Sequence, residues 1–252
     1  MKKCICFLLV LPFWVFAESP KVRPAPGFFE LRTYHTHPGK LDALHARFSE
    51  HTIPLFRKYG MTNIAYWTPK DQPDTLIYLM GYPSREAREG AWKGFLNDPD
   101  WKAAYKASTA GGKLVARLES LYLEPTDYTP ALKIDTQEPT RLFELRIYTT
   151  NEGKLDGLNA RFRDHTVALF GKHGITNIAY FTPAKESDGA RNKLVYIVSH
   201  KDEATRKAAF GAFGRDPAWQ SARKNSEVNG KLLVKKGVNS TFLVPTVYSP
   251  MK

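Results

Sequence analysis

The sequence predicts an α+β fold in which two tandem ferredoxin-like (βαββαβ) domains pack their antiparallel sheets face to face as a closed, barrel-like sandwich. Three observations carry this. The 252-residue chain matches itself at a shift of 114: FELRTYHTHPGKLDALHARFSEHTIPLFRKYGMTNIAYWTP from Phe29 meets FELRIYTTNEGKLDGLNARFRDHTVALFGKHGITNIAYFTP from Phe143, with about two thirds of positions identical. The hydrophobic period switches between 2 and 3.6 in the same order in both copies. A sheet with both its helices on one side leaves its other face bare, and a second copy in the same chain covers that face directly.

The elements follow in order. In FELRTY, Phe29, Leu31 and Thr33 alternate with Glu30, Arg32 and Tyr34, the period of a strand. After the Pro38-Gly39 turn, Leu41, Leu44, Phe48, Thr52, Leu55 and Tyr59 fall on one side of a helix that ends at Gly60. TNIAYWT from Thr62 and TLIYLM from Thr75 give two more strands. Ser84 caps a helix through Arg88, Trp92 and Phe95, Asp98-Pro99 restarts it, and a last strand runs from about Lys113 to Leu123. The order is that of a split βαβ unit, twice over.

The predicted divisions are a signal peptide over 1–17, a Pro-rich leader over 18–27, a first domain over 28–125, a linker over 126–141 and a second domain over 142–252. The signal peptide rests on two lysines, an apolar run from Ile5 to Phe16, and small residues Val15 and Ala17 at a cleavage site. That run, about 12 residues, is too short for a bilayer core that needs about 20. Cleavage after Ala17 implies a periplasmic or extracellular protein with no transmembrane span, and it removes both cysteines, Cys4 and Cys6, so disulfide, thiolate-metal and Cys-nucleophile chemistry drop out. The formal charge of +12 favours acidic ligands, but the basic residues are scattered and lack recognition spacings, so no nucleic-acid partner is expected.

FELRTY with Pro-Gly soon after, the aromatic strand end AYW, Arg88 in the second helix, DPDW and the later Leu-x-Pro resemble the NIPSNAP family, in both copies. The resemblance implies the dimeric alpha-beta barrel superfamily, and hence an intramolecular dimeric alpha-beta barrel. It implies little about a reaction: the best-known members are associated with mitochondria and with signalling partners, and the signal peptide is a departure from them.

Candidate ligand-binding residues come from features present in both copies. Glu30, Arg32 and Tyr34, with Glu144, Arg146 and Tyr148, form the polar face of the first strand. If Phe29 and Leu31 meet the helices, this face looks into the space between the sheets, either as an ion-pair network (Glu30 with Arg32 or Arg146) or as a pocket in which arginine clamps an acidic group. His51 and His165 sit at equal places in the first helix, as half-buried packing residues or as acid-base groups or axial ligands lining a helix–sheet cleft. The rings of Trp67, Tyr78, Phe181 and Tyr196 are core, or the lining of a cavity for a flat hydrophobic ligand. No metal site is expected, because no carboxylate stands at ligand spacing from these histidines. The reading is an exported small-molecule-binding or interaction module, a pseudo-dimeric monomer or a homodimer, that takes a small hydrophobic or acidic ligand and needs no cofactor. The alternatives are a cofactor-independent monooxygenase or isomerase acting on a small aromatic compound, and a haem-binding protein.

Overall fold

The computed structural model describes residues 25–134, 140–185 and 191–252. The expected signal peptide and most of the leader lie outside them, as do residues 135–139 of the expected linker. The first repeat runs β1 (Phe28–Thr36), α1 (Leu41–Arg47), a π-helical turn (Phe48–Thr52), α2 (Ile53–Lys58), β2 (Thr62–Pro69), β3 (Thr75–Tyr82), α3 (Arg85–Asn97), α4 (Pro99–Ser108) and β4 (Val115–Pro125). The second repeats this as β5 (Leu142–Thr150), α5 (Leu155–Arg161), a π turn (Phe162–Thr166), α6 (Val167–Lys172), β6 (Thr176–Pro183), β7 (Lys193–His200), α7 (Glu203–Arg215), α8 (Pro217–Ser226) and β8 (Leu233–Pro245). Among the described residues no helix is long and apolar enough to cross a membrane.

The eight strands close into one antiparallel barrel in the order β1-β3-β2-β8-β5-β7-β6-β4. Two four-stranded sheets meet at two seams, Trp67 opposite Pro245 between β2 and β8, and Pro125 opposite Phe181 between β4 and β6. Closure removes the open edges that a lone four-stranded sheet would expose. The chain past each repeat then packs on the other one: the Tyr66 amide donates to Ser249 Oγ at 2.9 Å, and the Tyr180 amide to Thr129 Oγ1 at 2.8 Å.

The barrel interior is filled by Phe29, Leu31, Trp67, Ile77 and Leu79 with their counterparts Phe143, Leu145, Phe181, Val195 and Ile197. Rings interlock across the approximate two-fold, Phe29 on Phe181 at 4.9 Å between centroids and Trp67 on Phe143 at 5.6 Å. This reverses the facing considered for the first strand. Phe29 and Leu31 meet the other repeat, and Glu30, Arg32 and Tyr34 face the helices. The physical reason is partnership. Two equivalent sheets meeting face to face offer apolar surface to apolar surface at no electrostatic cost, whereas buried charges need opposite charges and N–H donors, which α3 supplies.

A second difference lies in the first helix, expected as one regular run. In each repeat it carries a π turn, in which the Ile53 amide donates to the Phe48 carbonyl and the Val167 amide to the Phe162 carbonyl. Thr52 and Thr166 donate their hydroxyls to the carbonyls of Arg47 and Arg161, both at 3.1 Å. Pro54 is not the cause, since Ala168 stands there in the second repeat with the same turn. The extra residue turns Arg47, Phe48, Thr52 and Phe56 toward one space, as π turns near functional sites do.

Candidate functional site

Each repeat has a cavity between its sheet and its helices, about 410 Å³ in the first and 430 Å³ in the second. Both volumes fall within the range of small-molecule pockets. The first is walled by Phe48, Phe56, Trp92, Phe95, Trp101 and Tyr105. The capping of α3 and α4 holds these rings in place: Ser84 Oγ accepts the Ala87 amide at 3.2 Å, and Asp98 accepts the Asp100 amide at 2.7 Å.

Its polar floor is built around Glu30, which is fully buried. Glu30 accepts from Arg32 Nη1 at 2.6 Å, from Arg88 Nε and Nη2 at 2.9 and 3.0 Å, and from Trp92 Nε1 at 3.2 Å. Arg32 Nη2 donates to Tyr34 Oη at 3.1 Å, and the guanidinium lies 4.3 Å from the Trp92 ring centroid. Burial alone would raise the Glu30 carboxyl, but hydrogen bonding from Arg88 and the charge of Arg32 hold it below the usual carboxylate range. The second repeat copies this arrangement with Glu144, Arg146, Arg206 and Tyr148. There His200 and Ser240 also face Glu144, and Phe210 replaces the indole.

The residues that sequence reasoning proposed thus separate. Arg32, Tyr34, Arg146 and Tyr148 line the cavities. Glu30 and Glu144 hold their arginines from behind. Tyr78 and Tyr196 are buried beneath the cavity floor, in contact with Tyr34 and Tyr148. Trp67 and Phe181 are barrel core, on the opposite side of the sheet from either cavity. His51 and His165 are exposed and line neither cavity, because the π turn carries Arg47 and Arg161 inward and leaves the histidines outside. Neither lining contains a histidine, so a haem in these cavities would lack an axial imidazole. An ion pair between Glu30 and Arg146 does not form, since the two lie behind different sheets.

Sequence reasoning missed Arg47 and Arg161. Each is only 5% exposed and borders its cavity. The Arg47 guanidinium carbon lies 5.4 Å from the centroids of both Trp101 and Tyr105, and Nη1 donates to Ser108 Oγ at 3.2 Å. Burial pushes Arg47 below the ordinary arginine value. The available signal was the tripeptide Ala-Arg-Phe, identical in the two copies at 46–48 and 160–162.

With this geometry the kinship can be read. The model of the NIPSNAP family matches residues 29–130 and again 143–250. The chain belongs to the NIPSNAP family. Protein NipSnap homolog 3B of Mus musculus is 24% identical over 240 residues, covering 94% of this chain and 90% of that protein. Among solved structures, a candidate monooxygenase from Lactobacillus acidophilus NCFM superposes with a TM-score of 0.56 at 9% identity, over 90% of this chain and 98% of that one. An anthrone oxidase-like protein does so at 0.55 and 10% identity, over 89% and 94%. At such identities these likenesses speak to the fold, and the barrel of this NIPSNAP chain is the one they share.

Proposed function

We propose that this chain is a small-molecule-binding module whose sites are the two helix–sheet cavities, each taking a flat, mainly apolar ligand. The observation that carries the reading is the combination, in each cavity, of an aromatic wall with a floor arginine, Arg32 or Arg146, held by a buried Glu–Arg network behind it. A floor already paired internally spends little on reorganisation when a ligand docks, and stacking surfaces supply most of the affinity. Calorimetric titration with 2-naphthamide, a neutral planar probe, is expected to show binding at both cavities. Leu96 is 53% exposed at the rim of the first cavity, so Leu96→Trp narrows that mouth without touching the core. This variant should lose one of the two sites. Absence of binding, or a stoichiometry indifferent to Leu96→Trp, would remove the proposal.

A cofactor-independent oxygenase or isomerase is the second reading, favoured by one contact: the Tyr34 hydroxyl on the cavity wall accepts a hydrogen bond from Arg32. The fold shared with a candidate monooxygenase and an anthrone oxidase-like protein makes phenols and quinones the panel to try. Turnover that disappears in Tyr34→Phe would replace the binding reading with a catalytic one.

A further inference from the structure

We infer that the two cavities select different ligands, the first taking an organic carboxylate through Arg47 and the second holding a carboxylate of its own, Glu227, in that place. This rests on the reading of the cavities as ligand sites and adds the chemical class and the repeat. In the second repeat Arg161 Nη1 lies 3.3 Å from Glu227 Oε1, and Glu227 borders the cavity. The residue at the same position of the first repeat is Thr109. Backbone geometry there is nearly identical: both residues follow the last turn of their helix, Thr109 with φ −106° and ψ 6°, Glu227 with φ −108° and ψ 14°. The side chain alone makes the difference.

Arg47 therefore has a hydroxyl partner, Ser108, and two aromatic faces, and no carboxylate pairs with it among the described residues. Among the described residues its Nε has no acceptor, a state that Arg161 Nε shares, so in hydrogen-bond partners the two arginines differ in the carboxylate alone. A second N–H nearby does differ: Arg32 Nε lacks an acceptor among the described residues, whereas its counterpart Arg146 Nε donates to Tyr196 Oη at 2.7 Å. A buried guanidinium without an anion is costly, and an incoming carboxylate relieves that cost while its apolar body lies on Phe48, Phe56 and Trp101. The second cavity also borders Arg223 and Lys231, but both are exposed, and Lys231 already pairs with Glu227 Oε2 at 2.7 Å. Exposed cations are screened and give little selectivity.

The test uses 2-naphthoate beside 2-naphthamide on the full chain. One tight naphthoate site per chain is expected. Arg47→Gln and Thr109→Glu should each weaken it by about tenfold or more, the scale of one charged hydrogen-bonded contact. In Thr109→Glu, whose site lies outside the cavity lining, naphthamide affinity should change less than about twofold. Thr109 is half-buried at a helix end, so Thr109→Glu keeps the test valid if Arg47→Gln fails to fold. Glu227→Thr should create a second naphthoate site. Naphthoate binding that ignores both first-repeat substitutions, while naphthamide still fills two sites, overturns this inference alone. Failure of both probes to bind overturns the cavity reading with it.

Discussion

Glu144→Ala is expected to destabilise the protein by about 3–5 kcal/mol, the range for removing one partner of a buried ion pair. Glu144 is fully buried and accepts from Arg206 Nε and Nη2 at 2.9 and 2.7 Å, from Arg146 and from Ser240. Its removal strands two guanidinium groups, with Arg146 only 8% exposed. Denaturant or thermal unfolding checks this, and a loss of that size lowers the midpoint of a chain this long by roughly 6–20 °C. The same group gives a pH dependence. Burial alone would raise the Glu144 carboxyl, but the His200 ring 3.5 Å away, the hydrogen bonds from Arg206 and the charge of Arg146 hold it far below its ordinary value of 4.5. A carboxyl depressed in the folded state contributes stability that is fully present above the unfolded value and is lost as pH falls toward the folded one. Stability should therefore decline below about pH 4.5, and Glu144→Gln should flatten part of that decline. Glu30, Asp98 and Asp216 are depressed too and keep the rest of it.

A polypeptide limited to residues 25–134 is expected to have no stable monomer. Alone, its sheet exposes Phe29, Leu31, Trp67, Ile77 and Leu79, an apolar face that the second repeat covers in the full chain. The fold offers a remedy. Pairing at the seams is reciprocal, and Thr129 serves Tyr180 as Ser249 serves Tyr66. A second copy of the fragment can therefore close the barrel with Thr129 of each copy reaching Tyr66 of the other. Light scattering should give twice the fragment mass, or aggregation at low yield. A soluble, folded fragment at single mass would mean that the apolar face does not drive barrel closure.

How much of this was legible in the sequence depended on the range of the interaction concerned. The duplication, the alternation of FELRTY and the caps at Ser84 and Asp98 are local signals, and the structure follows them. Which face of the first strand points inward was not local: Phe29 and Leu31 fit a helix-packed or a sheet-packed side equally well, and Arg88 and Trp92, some sixty residues on, decided it by supplying donors to Glu30. His51 and Arg47 were exchanged in importance for a similar reason. A regular helix of period 3.6 places His51 near the stripe of Leu44, Phe48 and Leu55, but the π turn at 48–52 shifts the phase and brings Arg47 inward. The Thr109–Glu227 difference was visible in the aligned repeats, yet nothing marked it until the helix ends were seen to face Arg47 and Arg161. Trp67 and Phe181 looked like cavity walls because aromatic content is the same signature for a core and for a pocket.

Whether ligands enter between helices and sheet while the barrel interior stays packed is read directly from the indole N–H resonances. The sequence has five tryptophans, and four remain if the first seventeen residues are removed: Trp67 inside the barrel, Trp92 and Trp101 at the first cavity and Trp219 at the second. In ¹⁵N–¹H correlation spectra recorded during a 2-naphthoate titration, the Trp92 and Trp101 signals should move together and saturate, with Trp67 unmoved and Trp219 responding only at higher concentration. Movement of Trp67 ahead of Trp92 and Trp101 would instead place the ligand inside the barrel.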